Sequence, residues 1–338
     1  MLSKKNTVLK ILLDELNTGK LQPGEFIPSR NQLMRRFHCS RTVIESAIAG
    51  LTAMGLLAGR QGKGTFVRMK PSHPAMDIRK VNVVSPYDAK SFRSPLSCLL
   101  LNPELMPMPV EMIPVERAEA ECETLCQSDA VTIHINPGYE QLSLMNFLKS
   151  RHIPQLLVNR EFDGFDRIYT DTYSGFMSGL KMLDPAGDSP LGLIALEPEL
   201  AIPYQMPRLL AFYRALTGSG IPLSAANTVF IRRTEIEKGL EAAKKLFSSL
   251  PAKIAVINSD LTAPVMNLAR SLNLEPGRDY HLLAFEYLSA IDGVPGVVML
   301  RQRYDLFFEE LKRFLGICNQ PGRPCFISQI PPEVHGTI

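Results

Sequence analysis

Two groups of residues near the start of the chain have side chains suited to holding a polyanion. Ser40-Arg41-Thr42-Val43 is the first, and Arg60-Gln61-Gly62-Lys63-Gly64-Thr65 the second. A guanidinium held in place grips a guanine edge or a phosphate through two parallel bonds, and a threonine offers a hydroxyl and a methyl. A glycine turn lets backbone and flanking cations come close to a partner. This is contact chemistry for a nucleic acid, and it requires short elements that hold these side chains outward.

The flanking residues predict such elements. Ser29 can cap a helix, with Gln32 three positions on returning the bond, and Leu33, Met34 and Phe37 forming its buried stripe. His38-Cys39-Ser40 reads as a turn, after which Ser40 is predicted to cap a second helix with Val43, Ile44, Ala47, Ile48 and Leu51 at helical spacing. Two short helices so joined form a helix-turn-helix, which presents the start of its second helix, here Arg41, Thr42 and Val43, to the major groove. Beyond Gly55, two short apolar runs flank the basic glycine turn and predict a two-stranded wing.

Charge is distributed in the same sense. Residues 1–80 hold 14 Lys and Arg against 5 Asp and Glu, whereas the remainder holds 23 against 29. A basic module on an acidic body is the footprint of a nucleic-acid-binding head joined to a domain with another task.

Three separated motifs in this region make a resemblance specific. They are Pro28-Ser29-Arg30 with Leu33, then Ser40-Arg41-Thr42, then Ala47-Ile48 with Leu51 and the run Gly55-Leu56-Leu57 through Arg60-Gln61-Gly62-Lys63-Gly64-Thr65-Phe66-Val67. In order and spacing they resemble the DNA-binding domain of the GntR family of bacterial transcription regulators, over about the first seventy residues. The resemblance implies double-stranded operator DNA as partner, contacted by Ser29, Arg30, Asn31, by Ser40 to Val43, and by Arg60 to Thr65. Two positions depart from the family, which often has arginine where this chain has Asn31 and Glu45. Glu45 stands four residues after Arg41, the spacing of a helical ion pair, and pairing there is the expectation.

A chain of 338 residues with 45% hydrophobic and 21% charged residues suits two or three soluble domains. No apolar run approaches a membrane span, and the amino terminus reads as an amphipathic helix (Val8, Ile11, Leu12, Leu16) rather than a signal peptide. The expectation is a cytoplasmic protein. Six scattered cysteines, with only Cys122 and Cys126 spaced to meet on a helix, read as free thiols and not as a zinc site. The expected organisation is a head over 1–70, a linker over 71–80 containing two prolines, and a body over 81–338.

In the body, short apolar runs alternate with amphipathic segments. Strands are predicted at 81–84, 131–135, 155–158, 191–196, 227–231, 253–257 and 281–285, and helices at 140–150, 173–183, 207–217, 236–248 and 263–272. Such alternation argues for an α/β body of parallel, doubly wound sheets in two lobes. Several ordered phrases are similar to the ligand-binding region of LacI-type repressors, a two-lobed fold related to periplasmic sugar-binding proteins. They are Ile153-Pro154 through Val158-Asn159-Arg160, Thr170-Asp171 with Gly175, Arg208 to Phe212 with Ala215-Leu216, Asn258-Ser259-Asp260, Ala284-Phe285-Glu286, and Arg301-Gln302. Asp is usual at Glu286 and Gly at Ala211, and the proline-rich segment 86–113 lacks the usual helical period.

The resemblance implies an effector cleft at strand ends, lined by Arg160, Asp171, Arg208, Ser259, Asp260, Glu286 and Gln302, with Tyr87 and Tyr304 as candidate stacking rings. It further implies a homodimer whose two heads bind a palindromic operator, repression relieved by a small molecule, and a sugar or sugar derivative as that molecule, with a nucleobase or nucleoside as the alternative. No cofactor or metal is expected. Some GntR-type heads are fused to a pyridoxal-phosphate aminotransferase domain, but this chain is too short for one and shows no lysine motif, nucleophile elbow or metal cluster. A transport-type binding protein is opposed by the basic head and the absent signal peptide.

Overall fold

The computed structural model describes residues 4–68, 77–85, 106, 108–126, 129–183, 191–248, 252–320 and 323–338. They form two compact units, Met1–Tyr169 with Tyr304–Ile330, and Thr170–Arg303 with Pro331–Ile338. The backbone therefore passes between the units at residues 169/170, 303/304 and 330/331.

The first unit begins with the head: helices α1 (Lys4–Asn17), α2 (Arg30–Phe37) and α3 (Arg41–Ala53), then a hairpin of β1 (Leu57–Arg60) and β2 (Gly64–Val67). Leu12, Leu16, Leu33, Ile44, Ile48 and Leu51 close its core. The expected capping box is present at the start of α2. Ser29 Oγ accepts the Gln32 amide, and Gln32 Oε1 accepts the Ser29 amide at 2.8 Å. The chain turns at His38, in left-handed conformation with φ 46°, and Ser40 occupies the cap position of α3. Its hydroxyl makes no bond to the first amides there, so the expected Ser40 cap bond is absent and α3 is held by the packing of Ile44 and Ala47.

Glu15 ties α1 to α2. Its almost fully buried carboxylate accepts from Arg36 Nη1 at 2.9 Å and lies 2.9 Å from Lys20 Nζ. The Arg36 hydrogen bonds hold the carboxyl below the usual range, against the opposing effect of burial. A lowered folded pKa contributes stability that is present above the unfolded pKa and lost as pH falls through the folded one. Glu15→Gln is therefore expected to cost about 1–2 kcal/mol at neutral pH, discounted for the partly exposed Arg36, and to flatten the acid limb of Tm against pH. An acid limb identical to that of the unsubstituted chain would refute this role.

The rest of the first unit is a lobe built on β3 (Lys80–Ser85), β4 (Val110–Pro114), β5 (Ala130–Ile135), β6 (Gln155–Val158), β7 (Arg167–Thr170) and β13 (Ile327–Ile330), in the order β13-β7-β6-β5-β3-β4. The pairs from β4 through β7 are all parallel. One face, with Val81, Val83, Ile133 and Leu156, buries Phe307, Leu311 and Phe314 of α10 (Tyr304–Ile317). On the other, Val84 packs with α4 (Val115–Ala120) and α5 (Leu142–Ser150) through Val115, Leu144 and Leu148. Burial on both faces accounts for the continuous apolar runs read as strands.

The second unit repeats the plan. Strands β8 (Leu191–Leu196), β9 (Thr228–Ile231), β10 (Ala252–Val256), β11 (Tyr280–Phe285) and β12 (Val297–Arg301) are parallel, and β14 (Glu333–Thr337) runs antiparallel to β12. The order is β14-β12-β11-β10-β8-β9, so both lobes place their second strand outside the first and add an edge strand from the chain's end. Helices α6 (Thr172–Leu183) and α7 (Gln205–Ser219) cover one face, and α8 (Ile236–Ala243) and α9 (Ser259–Ser271) the other. The fold is thus α/β, a winged head with two doubly wound lobes.

Some elements differ from expectation. The helix predicted to reach 248 ends at Ala243 and tightens into a 3₁₀ turn over Lys244–Phe247. The helix predicted from 263 begins at Ser259 and carries Pro264 inside it, where a missing N–H costs one helical bond. Strands β4, β7, β12, β13 and β14 and helices α4 and α10 were not among the expected elements. Among the described residues, no helix is long and apolar enough to cross a membrane, no group of three side chains could hold a metal ion, and five cysteines form no disulfide.

Candidate nucleic-acid interface and ligand site

In the head, Arg41 and Thr42 are exposed on the first turn of α3, whereas Val43 is half-buried against the head core. Arg41 Nε lies 2.8 Å from Glu45 Oε1, forming the four-apart pair expected from the sequence. The wing pairs Leu57 with Val67 and Arg60 with Gly64, and its turn uses Gly62 at φ 74° and Gly64 at φ 113°, which a side chain would strain. Arg60, Gln61 and Lys63 are exposed at its tip. Thr65 is not: its side chain turns inward and accepts from Arg30 Nη1 at 2.8 Å, so Arg30 fastens the wing to α2. Ser29 and Asn31 are exposed at the amino end of α2, where helix amides favour an anion, although the Ser29 hydroxyl is already engaged in the cap. Arg41, Thr42, Arg60, Gln61 and Lys63 are thus exposed, while the residues beside them hold the head together.

The predicted effector residues divide between the units. Arg160 and Tyr304 belong to the first, while Asp171, Arg208, Ser259, Asp260, Glu286 and Gln302 belong to the second, and Tyr87 lies outside the described residues. Arg160 Nη1 donates to Asn136 Oδ1 at 3.2 Å and to the Asn159 carbonyl at 2.6 Å. Tyr304 begins α10 and packs its ring on Phe307.

In the second unit, three of the predicted residues meet. Arg208 lies 3.6 Å from Glu286, Gln302 Nε2 donates to Glu286 Oε1, and Thr170 Oγ1 donates to Gln302 Oε1 at 2.5 Å. The Arg208 guanidinium is 3.9 Å from the centre of the Phe285 ring and 4.6 Å from that of Tyr204, and its Nη1 donates to the Ile257 carbonyl at 3.3 Å. Gln302, Glu286 and Ile257 stand at the carboxyl ends of parallel strands β12, β11 and β10. Beside them Asn258 Oδ1 accepts the Leu196 amide, between β10 and β8, where the strand order reverses. Open parallel sheets bind ligands at that edge.

Glu286 bears two unfavourable conditions at once. Its φ is 93°, in the region that favours glycine, and burial pushes its carboxyl above the usual range while Arg208 and Gln302 oppose the shift. Strain and a desolvated charge collect where a binding site needs a fixed polar group.

Asp171, Ser259 and Asp260 do not join this cluster by any bond of their own side chains recorded in the structure. Asp171 caps α6, accepting the Ser174 amide at 3.1 Å and its hydroxyl at 2.5 Å. Asp260 is 2.5 Å from Arg233 Nη1, and Ser259 starts α9. Two members the sequence reading passed over are Tyr204 and Thr170. Both carried a signal: Tyr204 stands one helical turn before Arg208, and Thr170 precedes Asp171 in a phrase similar to the LacI type, from which Asp171 was the residue expected at the site.

The head resolves the question of kinship. Residues 4–67 match the model described as bacterial regulatory proteins, gntR family. The head is a gntR-type domain. It is 41% identical over 70 residues to a protein of Escherichia coli (strain K12) described as a probable fructoselysine utilization operon transcriptional repressor, covering 21% of this chain and 29% of that one. An arabinose metabolism transcriptional repressor of Geobacillus stearothermophilus is 29% identical over 76 residues, 22% of this chain and 21% of its own. The chain therefore spans less than a third of either relative.

Solved structures extend the likeness of fold over the lobes. A transcriptional regulator CelR–cellobiose complex superposes with a TM-score of 0.60 at 12% identity, over 88% of this chain and 90% of that one. A regulatory protein of the LacI family from Chloroflexus aggregans gives 0.61 at 14% identity, over 75% and 96%. The gntR-type head is thus joined to lobes with the fold of LacI-type regulators.

Removing the Glu286 charge tests the cost it carries. A folded pKa raised above the unfolded value gives stability that is present below the unfolded pKa and lost as pH rises through the folded one. Glu286→Gln is expected to raise Tm by a few degrees at neutral pH and to remove this loss with rising pH. A lower Tm at neutral pH would show that the Arg208 pair outweighs desolvation.

Proposed function

We propose that this protein is a DNA-binding transcription regulator, acting as a repressor under the control of a small polar effector, a sugar or sugar derivative. The observation that carries the reading is the exposed set Arg41, Thr42, Arg60, Gln61 and Lys63 on a gntR-type head. The relatives described as repressors and the LacI-type fold of the lobes support it. Residues 1–70 bind operator DNA, 71–80 link, and 81–338 bind effector and dimerise, so that two heads read a palindromic site. The protein acts in the cytoplasm and catalyses no reaction.

The effector engages the cluster of Arg208, Glu286 and Gln302. A cation, a carboxylate and a carboxamide together offer donors and acceptors matched to adjacent hydroxyls, and the neighbouring rings supply apolar area.

Two experiments test the halves separately. Selection from a random duplex pool is expected to enrich one sequence, with affinity falling steeply as salt rises because phosphate contacts release counterions. A melting screen against pentoses, hexoses, uronic acids, sugar phosphates and nucleosides is expected to show one class raising Tm, by about 2.7 kcal/mol of stability at 100 times the dissociation constant. That shift should be absent in Arg208→Ala, whose DNA affinity should be unimpaired. Enrichment of no sequence would refute the DNA-binding half, and a shift retained in Arg208→Ala would remove Arg208 from the site.

A further inference from the structure

Asn82 is out of place in its strand. Its neighbours in β3 are Val81, Val83 and Val84, and asparagine is depleted from strand interiors because it packs poorly on a buried sheet. Its side chain shares the face of Val84, two residues on, which packs with α4 and α5. There it is 2% exposed, and among the described residues its Oδ1 has no hydrogen-bond partner. Thr132, its register partner on β5, is fully buried with its hydroxyl in the same condition. Buried polar atoms are nearly always satisfied, since one left without a partner bears its whole desolvation cost. An orphaned acceptor in such a place calls for a bond from outside the chain.

Asn82 lines a cavity of about 250 Å³ between β3, β4, α4 and the turn that follows it. Charged groups of both signs share the wall: Lys80 and Arg117 against Glu111 and Glu121. Arg117 Nε lies 3.1 Å from Glu121, and its Nη1 3.5 Å from Glu111. Both pairs are about half exposed, and pairs of that kind rearrange around a ligand at little cost. Lys80 and Asn82 are the first and third residues of β3, and Glu111 the second of β4, so the cavity lies toward the amino-terminal ends of these strands. The usual ligand edge of a parallel sheet is the opposite one.

We propose that this cavity is a ligand site of its own, and that its ligand is a small zwitterion of the amino-acid class. The ammonium donates to Asn82 Oδ1 with Glu111 and Glu121 as counter-charges, and the carboxylate meets Arg117 and Lys80. The orphaned atom is an acceptor, so the ligand brings an N–H donor to it. Two cations and two carboxylates are matched by a molecule with one charge of each sign, whereas a lone anion or cation leaves two like charges against it. The volume is small for a ligand pocket and suits a molecule of few atoms. The site lies within the first unit and draws on neither the DNA-binding nor the effector reading.

Titration calorimetry of the full chain with the standard amino acids singly, and with acetate and methylamine as single-charge controls, tests the proposal. At least one amino acid is expected to bind, and neither control. Affinity should fall roughly ten-fold in Asn82→Leu, which removes the acceptor at similar size, and stay unchanged in Arg208→Ala, which alters the polar cluster of the second unit. Binding by no amino acid would overturn the site and leave the cavity to water. Affinity retained in Asn82→Leu, or lost in Arg208→Ala, would place the ligand elsewhere, and a control that binds as tightly would overturn the zwitterion. Should Asn82→Leu fail to fold, Glu121→Gln, at an exposed position, removes a counter-charge of the ammonium and carries the same expectation.

Discussion

Arg41→Ala is expected to lower affinity for the selected DNA about 10- to 100-fold and to leave Tm unchanged. The reason is the separation of roles on α3. Ile44, Ala47, Ile48 and Leu51 are buried and hold the helix, whereas Arg41 is exposed and its recorded bond is to Glu45, an exposed pair of a kind that contributes little to folding. A guanidinium at the start of a recognition helix makes bidentate contact with guanine, and losing one such contact gives a change of the stated size. Glu45 adds a second expectation. A carboxylate near phosphate is repelled and also occupies Arg41 in the free protein, so Glu45→Ala is expected to raise affinity for DNA of any sequence while narrowing the margin of the selected site. Binding isotherms at two salt concentrations for the three proteins check both. Unchanged affinity in Arg41→Ala would show that α3 does not read the DNA.

The largest loss of stability is expected from Asp166→Ala. Asp166 and Arg323 form a buried two-bond pair, Nη1 to Oδ1 at 3.0 Å and Nη2 to Oδ2 at 2.6 Å, and Asp166 Oδ1 also accepts the Phe326 amide at 2.7 Å. Removing the carboxylate leaves the buried guanidinium without its counter-charge, holding only the Cys318 and Pro324 carbonyls, and takes the side-chain acceptor from the Phe326 amide, at a cost of about 3–5 kcal/mol, or roughly 10 °C in Tm. The pair fastens β13 to β7, so the loss should extend to the head docked on Ile327. Replacing both partners, Asp166→Leu with Arg323→Met, is expected to recover much of the loss, because an apolar pair needs no acceptors, but not all of it, because the Phe326 amide stays unsatisfied. A Tm for Asp166→Ala within a degree of the unsubstituted chain would refute the argument.

How far each feature was legible in the sequence depends on the range of the interaction behind it. The Ser29–Gln32 box and the Arg41–Glu45 pair span three and four residues, and helical geometry alone brings such residues together. The apolar runs of β5, β8 and β10 were readable because burial on both faces demands them. β14, with Gly336 and His335 in a short edge strand, meets no such demand and gave no signal. The candidate ligand residues show the same division. Arg208 and Glu286 come from separate elements, and Asp171 and Asp260, chosen by resemblance to a pattern, direct their recorded bonds to Ser174 and Arg233.

The winged head, the alternation that builds two parallel-sheet lobes, and the exposed residues at the start of α3 and the wing tip were readable along the chain, because periodicity, capping and glycine turns act within a few residues. The folded packing alone brings Thr65 to Arg30, Asp166 to Arg323 across 157 positions, and Asn17 to Ile327 across 310. These contacts depend on which strands become neighbours, and that choice is made by the burial of the whole sheet, which no local pattern records.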